Sequence, residues 1–278
     1  MAAMLTTLAV SLFGFVGVLT VGMFLFQNAL LYLPDRYPVD SLVQRTRDAA
    51  VQPWPRATRD YRGLMAAPRS AEERGTVVVF HGNAGSALDR TPYVAALTPL
   101  GYRVLLAEYP GYGARDGELG EKSLVADAVT TAKALAQQYE GPLYVWGESL
   151  GCGVAAAVGA ALSPAIAGLV LITPWKNLPE LAQSIYWFMP AKWLVRDKFD
   201  NAANLRTFSR PVAVLMADAD EIIPNSHTMA LYEAIQSPKR LWVFRNAGHN
   251  SWPMAANEKW WREVTAFTRE ADAPRPIQ

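Results

Sequence analysis

The residues most able to do chemistry in this chain surround Ser149, within the G-x-S-x-G pentapeptide GESLG at 147–151. The preceding run 143–146 is β-branched and aromatic, which predicts a strand, and the small helix-forming residues of 152–162 predict a helix. A sharp strand-to-helix turn exposes a serine hydroxyl. The two glycines fit such a turn, because strand and helix approach each other and leave no room for a side chain. The pattern therefore predicts that Ser149 is a nucleophile.

A serine hydroxyl needs a base that takes its proton and a third group that orients the base. The chain has three histidines. His249 follows the strand-like run 241–244 on a loop, whereas His81 lies upstream in a glycine loop and His227 follows Pro224 at a predicted helix start. We predict that His249 is the base, that His81 is structural, and that His227 is an exposed or helix-capping residue.

The candidate carboxylates follow a predicted buried strand at 212–217. Asp218, Asp220 and Glu221 lie in the acidic loop after it, and the residues by themselves do not choose among the three. One of them is expected to orient the imidazole. The order serine, acid, histidine along the chain is that of an α/β-hydrolase, and differs from the order in both large serine protease folds.

A glycine loop, HGNAG at 81–85, follows the hydrophobic run 76–79. Acyl transfer places negative charge on the carbonyl oxygen, and one backbone N–H aimed at that oxygen lowers the barrier by roughly 3 to 4 kcal/mol. We predict an oxyanion hole formed by the backbone amides of Leu150, after the nucleophile, and Asn83, in the glycine loop.

Taken together, the motifs resemble those of the membrane-anchored α/β-hydrolase-domain serine hydrolases, whose eukaryotic members include protein depalmitoylases. The resemblance runs from about residue 27 to about residue 268, and it does not define a substrate. The motifs that carry it are HGNAG at 81–85, AEYPGYG at 107–113, GESLG at 147–151, ADADEIIP at 217–224 and AGHN at 247–250.

The resemblance also bears on the acid. The family pattern G-x-x-D-x-x-V-P aligns its aspartate with Asp220, with Ala217 in place of glycine and Ile223 in place of valine. It therefore implies that Asp220 completes the triad. The family often follows G-Y-G with a serine one residue on, whereas Arg115 lies near that position here. This departure could alter the mouth of the pocket without touching a catalytic residue.

The rhythm of apolar runs predicts one catalytic domain at 35–270 with an α/β-hydrolase fold. Continuous apolar strands that alternate with helices indicate a mostly parallel sheet covered by helices on both faces. Strands are predicted at 77–80, 103–108, 143–146, 169–172, 212–217 and 241–244, with earlier antiparallel strands within 55–66. Helices are predicted at 87–100, 122–139, 152–162, 228–235 and 257–269. A short polar tail at 271–278 is expected to be flexible.

The N-terminal segment 1–34 predicts a single transmembrane anchor. It carries no charged side chain, and 4–26 is apolar enough to cross a hydrocarbon layer of roughly 30 Å as one helix. A cleaved signal peptide is the main alternative, but the run is long, has no basic start and has no A-x-A site before Gln27. A buried soluble helix is the other alternative.

The expected location is a bacterial inner membrane, crossed once. Arg36, Arg45 and Arg47 follow the apolar segment and favour a cytoplasmic catalytic domain by the positive-inside rule, with only the α-amino group opposing them.

The composition argues against several other classes of function. The one cysteine, Cys152, excludes an internal disulfide framework and is predicted to be a packing residue rather than a second nucleophile. No Cys/His cluster has metal-ligand spacing, so we predict neither a metal nor a cofactor. A net charge of +1 without a basic tract indicates no nucleic-acid partner. The oligomeric state is not encoded.

An aromatic insertion at about 175–210 is predicted to form a small cap over the site. Its aromatic side chains would suit an acyl chain, or would pack the insertion onto the core, and both interpretations stay open. The insertion contains the aromatic residues Trp175, Tyr186, Trp187, Phe188, Trp193 and Phe199, together with Met189. A second aromatic group, predicted to pack either in the core or on the surface, consists of Trp252, Trp260 and Trp261.

The sequence therefore predicts a membrane-anchored serine hydrolase that cleaves an ester or thioester, lipidic or small, through an acyl-enzyme on Ser149. Two alternatives remain open. One is a peptidase or amidase with the same triad, and the other is a hydrolase-fold scaffold without catalytic activity.

Overall fold

A computed structural model describes residues 2–47, 49–56 and 60–270 of the 278-residue chain. The expected flexible tail at 271–278 lies outside the described residues.

A central sheet of eight strands, in the order β10-β9-β8-β7-β4-β6-β3-β2, organises the fold. β3 is antiparallel to both of its neighbours, and the other neighbouring pairs are parallel. The strands are β2 Gln52–Trp54, β3 Gly63–Ala66, β4 Gly75–Phe80, β6 Tyr102–Ala107, β7 Leu143–Glu148, β8 Ile166–Ile172, β9 Val212–Ala217 and β10 Lys239–Phe244. A separate parallel pair joins β1, Leu33–Pro34, to β5, Ala84–Gly85. The predicted mostly parallel sheet is confirmed, and the first antiparallel strand starts earlier than predicted.

Helices alternate with the strands as predicted. They are α1 Ala2–Leu31, α2 Leu42–Thr46, α3 Thr91–Leu97, α4 Glu121–Gln138, α5 Leu150–Leu162, α6 Leu178–Ile185, α7 Ala191–Leu194, α8 Asn201–Leu205, α9 Asn225–Ala234 and α10 Lys259–Glu270. The helix predicted over 87–100 is α3 with a 3₁₀ turn at each end. Prolines lie in the first turn of α3 and in the first turn of the 3₁₀ element Thr98–Leu100 that follows it. At these positions the missing N–H costs no helical hydrogen bond.

The sheet is buried on both faces. All six residues of β4 and all seven of β8 are buried, and their side chains divide between two core clusters. In one of these clusters Trp146 stacks on Trp261 at 5.9 Å between ring centroids, with Tyr93 edge-on to both. Trp252, Trp260 and Trp261 are therefore core residues, one of the two packing roles the sequence left open.

The insertion between β8 and β9 carries α6, α7 and α8, and its aromatic residues divide into two groups. Trp175 and Phe199 are buried in the core, whereas the Trp187 and Trp193 side chains are 78 % and 76 % exposed. Packing thus accounts for some of these aromatic residues and leaves others on the surface.

The first helix extends away from the domain. Among the described residues, α1 is the one helix long and apolar enough to cross a membrane, over Gly14–Leu31 with a mean hydropathy of 1.7 and none of that window buried. Its 30 residues correspond to about 45 Å of helix. Directly after α1, β1 pairs with β5, so the chain enters the catalytic domain at the glycine loop.

Candidate active site

Ser149 lies at the turn between β7 and α5. Its backbone has φ 51° and ψ −116°, a strained conformation for a residue with a side chain. The Ser149 N–H donates to the Ile172 carbonyl at 2.9 Å, and the Cys152 N–H donates to the Ser149 carbonyl at 2.9 Å. These bonds hold the strained turn in place between two buried strands and a helix.

The glycines on either side of Ser149 are required by space. A Cβ on Gly147 would lie 2.3 Å from the Gly151 carbonyl oxygen, and a Cβ on Gly151 would lie 2.0 Å from the carbonyl oxygen of Phe80, at the end of β4. Neither distance is compatible with a side chain. The structure thus shows the close approach of strand and helix that the sequence pattern predicted.

His249 lies on the loop after β10, between Ser149 and Asp220. Its Nε2 is 2.9 Å from Ser149 Oγ, and its Nδ1 is 2.8 Å from Asp220 Oδ2. With the proton on Nδ1, the imidazole donates to the carboxylate and accepts from the serine hydroxyl. The His249 and Asp220 side chains are both buried. Three residues that are distant in sequence therefore form one hydrogen-bonded chain.

The three acids left open by the sequence have different partners. Asp220 faces the imidazole, and its other oxygen accepts the N–H groups of Ile222 and Ile223 at 2.9 and 2.7 Å. Asp218 instead accepts the Asn246 N–H at 2.6 Å. Glu221 accepts the backbone N–H of His249 at 2.9 Å, and this bond lowers the pKa of the Glu221 carboxyl. Asp220 is thus the acid of this loop that touches the imidazole.

The other two histidines are not in this chain of hydrogen bonds. His81 is buried, with Nε2 at 3.2 Å from Glu108 and Nδ1 at 2.8 Å from the Gly82 carbonyl. His227 lies in the first turn of α9, where its Nε2 is 2.9 Å from Ser184 Oγ and desolvation lowers its pKa.

The two amides predicted for the oxyanion hole come from elements that meet near Ser149. Leu150 is the first residue of α5, and a first-turn N–H has no partner within its own helix. Asn83 lies in the glycine loop, where a Cβ on the neighbouring Gly82 would be 3.5 Å from Ser149 Cβ. Because the positive end of the α5 dipole also lies here, the region can stabilise a developing negative charge.

The glycine loop is tied to the end of α1, a feature that sequence reasoning missed. The Asn83 side-chain amide donates to the Leu31 carbonyl at 2.9 Å, and the Leu33 N–H donates to the Asn83 carbonyl at 2.9 Å. The available signal was the adjacent amide side chains of Gln27 and Asn28, near the end of a helix without charged residues. The sequence predicts segment 1–34 as an anchor, and the structure shows that the last turns of α1 also contact the site.

An apolar pocket of about 470 Å³ opens over Ser149. Its walls come from the last turns of α1, from the cap helices, from the glycine loop and from the loops that carry Ile222 and His249. The size falls in the range usual for small-molecule and cofactor sites. Cap residues Tyr186 and Met189 line it, so the acyl-chain interpretation of the insertion fits part of the aromatic group.

The charged side chains at the pocket are already paired. Arg90 and Glu148 form an ion pair at 3.0 Å, and the Tyr93 hydroxyl also donates to Glu148. Arg115, expected near the pocket mouth, instead forms a two-pronged ion pair with Asp127 at 2.6 and 2.8 Å and is not among the lining residues. Within the described ranges no three His, Cys, Asp or Glu side chains come together as a metal ion would require.

Comparisons with known proteins identify the family of this chain. The family model described as Serine aminopeptidase, S33, matches residues 71–202. An uncharacterized protein of Mycobacterium tuberculosis is 33% identical over 233 residues, which cover 81% of this chain and 80% of that protein. The chain belongs to the α/β-hydrolase family, as the sequence motifs predicted.

A named relative and a solved structure also match this chain. Lysophosphatidylserine lipase ABHD12 of Danio rerio is 31% identical over 59% of this chain, and the match spans 48% of that protein. An esterase of Pyrococcus furiosus shares the fold with a TM-score of 0.62 at 17% identity, over 86% of this chain and 98% of the esterase. The protein is an enzyme, a serine hydrolase.

Cys152 lies three residues after Ser149 but does not line the pocket. It is buried, its Sγ lies 3.2 Å from the carbonyl oxygens of both Gly147 and Ile172, and burial raises the pKa of the thiol well above its usual value. Only a thiolate reacts with common thiol reagents.

We therefore expect the native protein to resist a chromogenic disulfide reagent at pH 8, and to release about one equivalent of chromophore only after denaturation, since Cys152 is the one cysteine. Cys152→Ser should release none in either state. Fast reaction of the folded protein would contradict the packing role.

Proposed function

We propose that the protein is a membrane-anchored hydrolase that cleaves a carboxylic ester or thioester through an acyl-enzyme on Ser149. The observation that carries the proposal is the hydrogen-bonded chain from Ser149 through His249 to Asp220 at the base of an apolar pocket.

In the proposed reaction, Ser149 Oγ attacks the substrate carbonyl while His249 Nε2 accepts the hydroxyl proton. The amides of Leu150 and Asn83 donate hydrogen bonds to the oxyanion. His249 then returns the proton to the leaving oxygen or sulfur, which departs and leaves the acyl-enzyme. Water repeats the cycle and releases the acid. Asp220 holds the imidazole and stabilises its protonated form, and the cycle needs no cofactor or metal.

The proposed anchor is α1, which would cross the membrane once. Its length, its composition and its exposed apolar surface support this assignment. Arg36, Arg45 and Arg47 support a catalytic domain on the cytoplasmic side of a bacterial inner membrane.

The proposed substrates are lipidic or small acyl esters and thioesters. The predominantly apolar lining supports this class, because an acyl chain gains free energy as it leaves water. The relatives named as lysophosphatidylserine lipases support it as well.

A peptidase is the second candidate, since the matching family model is described as a serine aminopeptidase. An aminopeptidase must pair the substrate ammonium with an acid. The acids at this pocket are already engaged, because Glu148 pairs with Arg90, and Asp197 accepts from the Tyr32 hydroxyl and the Glu121 N–H. This observation favours the esterase.

Of the predictions that the proposed reaction makes, the first concerns Ser149 as the nucleophile. A fluorophosphonate probe should label the wild-type protein on Ser149 and leave Ser149→Ala unlabelled, because the probe reacts with an activated serine. Labelling is read by in-gel fluorescence and by mass spectrometry of the modified peptide. Equal labelling of both proteins would remove the mechanism, and full activity of Ser149→Ala in cells would instead indicate a scaffold.

The second prediction distinguishes the roles of Asp220 and Asp218. Asp220→Asn should lower kcat by roughly 10⁴-fold, because the imidazole loses its orientation and its proper tautomer. The matched variant Asp218→Asn keeps an oxygen that can accept the Asn246 N–H and should change kcat by no more than about threefold. Steady-state kinetics on a soluble ester measure both. A larger loss from Asp218→Asn would assign the role to the other acid.

The third prediction concerns the substrate. Detergent-solubilised protein should cleave esters with kcat/KM rising about fourfold for each added CH₂, the equivalent of about 0.8 kcal/mol, until the acyl chain fills the pocket. Matched thioesters should be cleaved as well, and matched amides much more slowly. Faster cleavage of aminoacyl amides with a free amino group would favour the peptidase.

A further inference from the structure

The last turns of α1 and the cap together form one side of the pocket over Ser149. From α1 the side chains of Met23, Phe24 and Leu31 line it, and from the cap Leu181, Ile185 and Leu194 do so. The α1 contribution extends from residue 23 to residue 31, about 12 Å of helix. The same helix therefore serves as the candidate anchor and as a wall of the site.

Specific bonds fasten the end of α1 to the cap. Gln27 Oε1 accepts the Arg196 N–H at 2.8 Å, and Gln27 Nε2 donates to the Leu194 carbonyl at 3.4 Å. The Arg196 guanidinium lies 4.5 Å above the Phe24 ring. The cap is thereby held against the helix that would cross the membrane.

The predicted span 4–26 places this junction at the membrane boundary. That run is long enough to cross the hydrocarbon layer, so the turns of α1 that follow it, which carry the polar side chains of Gln27 and Asn28, lie at the boundary on the catalytic side. Because the cap is bonded to those turns, it must lie against the same leaflet.

The cap also presents an exposed apolar edge, which consists of Ile185, Trp187, Phe188 and Trp193 and is called here the cap edge. All four side chains are at least 44 % exposed. Trp187 and Trp193 differ in this from the other seven tryptophans of the chain, each of which is 8 % exposed or less. Lys192 lies 4.9 Å above the Trp193 ring. Exposed tryptophans beside a lysine match the interfacial layer of a bilayer, where indole rings collect and anionic headgroups attract cations.

Ile185 belongs both to the cap edge and to the pocket lining, so the pocket and the membrane-facing surface meet at this residue. We propose that the acyl chain of a membrane lipid ester reaches Ser149 directly from the leaflet, along the side of the pocket that the end of α1 and Ile185 line. The cap edge is seated in the interfacial layer. The inference rests on the proposed anchor and triad, and adds the source of the substrate and its route.

The seating is tested with full-length protein reconstituted in phosphatidylcholine and phosphatidylglycerol vesicles, using lipids brominated on the acyl chain. Bromine quenches nearby indole fluorescence, and Trp187 and Trp193 are the exposed tryptophans. We expect clear quenching in the wild type and its loss in Trp187→Phe/Trp193→Phe. Quenching in the Phe pair equal to that in the wild type, or no quenching in the wild type, would overturn the placement of the cap edge in the interfacial layer.

The route is tested by comparing substrates in the same vesicles. Trp187→Ser/Trp193→Ser should raise KM for a long-chain monoacyl ester embedded in the bilayer by roughly tenfold, the equivalent of about 60 Å² of apolar surface no longer buried. The Phe pair keeps the apolar surface and should stay near the wild type. Hydrolysis of a soluble butyrate ester should be unchanged in both variants, which shows that the fold is intact. An unchanged KM for the embedded ester in the Ser pair would overturn the route.

Two controls separate this inference from the proposed function. Fluorophosphonate labelling reports the triad, and sedimentation with vesicles after a high-salt wash reports the anchor. Protein that labels and sediments, yet shows neither quenching nor a change in KM, would refute the route alone. Loss of labelling or of sedimentation in the wild type would refute the proposed function itself.

Discussion

The structure depends on one close approach, that of α5 to the end of β4 directly behind Ser149. A side chain at residue 151 would meet the Phe80 carbonyl oxygen at 2.0 Å, so the backbone of the helix rests almost directly on the strand. This contact forces the strained turn at Ser149, lifts its hydroxyl above the sheet and brings the glycine loop after β4 beside it. The two sides of the predicted oxyanion hole therefore come from elements that this contact holds together.

The second determinant is the meeting of distant segments over that turn. The acidic loop and the histidine loop follow neighbouring parallel strands, β9 and β10, so both emerge at the same edge of the sheet as Ser149. From the other side, the chain leaving α1 pairs with the glycine loop, and the cap closes against α1. The site is thus enclosed by the apolar N-terminal helix and by the aromatic insertion. These two segments supply the walls of the pocket above Ser149 and His249.

Much of the fold could be predicted because its signals are local. Val212–Ala217 is apolar throughout and is a buried strand, and the alanine-rich run after Ser149 is a helix. Signals that depend on partners were harder to interpret. Gln52–Trp54 is a short edge strand that pairs only with β3, so nothing local sets its start. The sequence also predicts that the departure from the family pattern at Arg115 could alter the pocket mouth, yet the Arg115 guanidinium pairs with Asp127, 12 residues further along, and does not line the pocket.

The sequence by itself determined the class of protein, the order of the elements, and the predicted identities of the nucleophile and the base. These follow from periodicity, from the glycines of a tight turn and from the scarcity of histidines. The family resemblance implied Asp220 as the acid, whereas only the tertiary structure showed its carboxylate against His249 Nδ1. Only the tertiary structure showed that the end of α1 is a wall of the pocket. The reason is physical: periodicity and turn chemistry act over a few residues. The direction of the Asp220 carboxylate depends on a partner 29 residues further along the chain. The closure of the pocket depends on contacts between α1 and the cap, such as the Gln27 to Arg196 bond, whose residues are 169 positions apart.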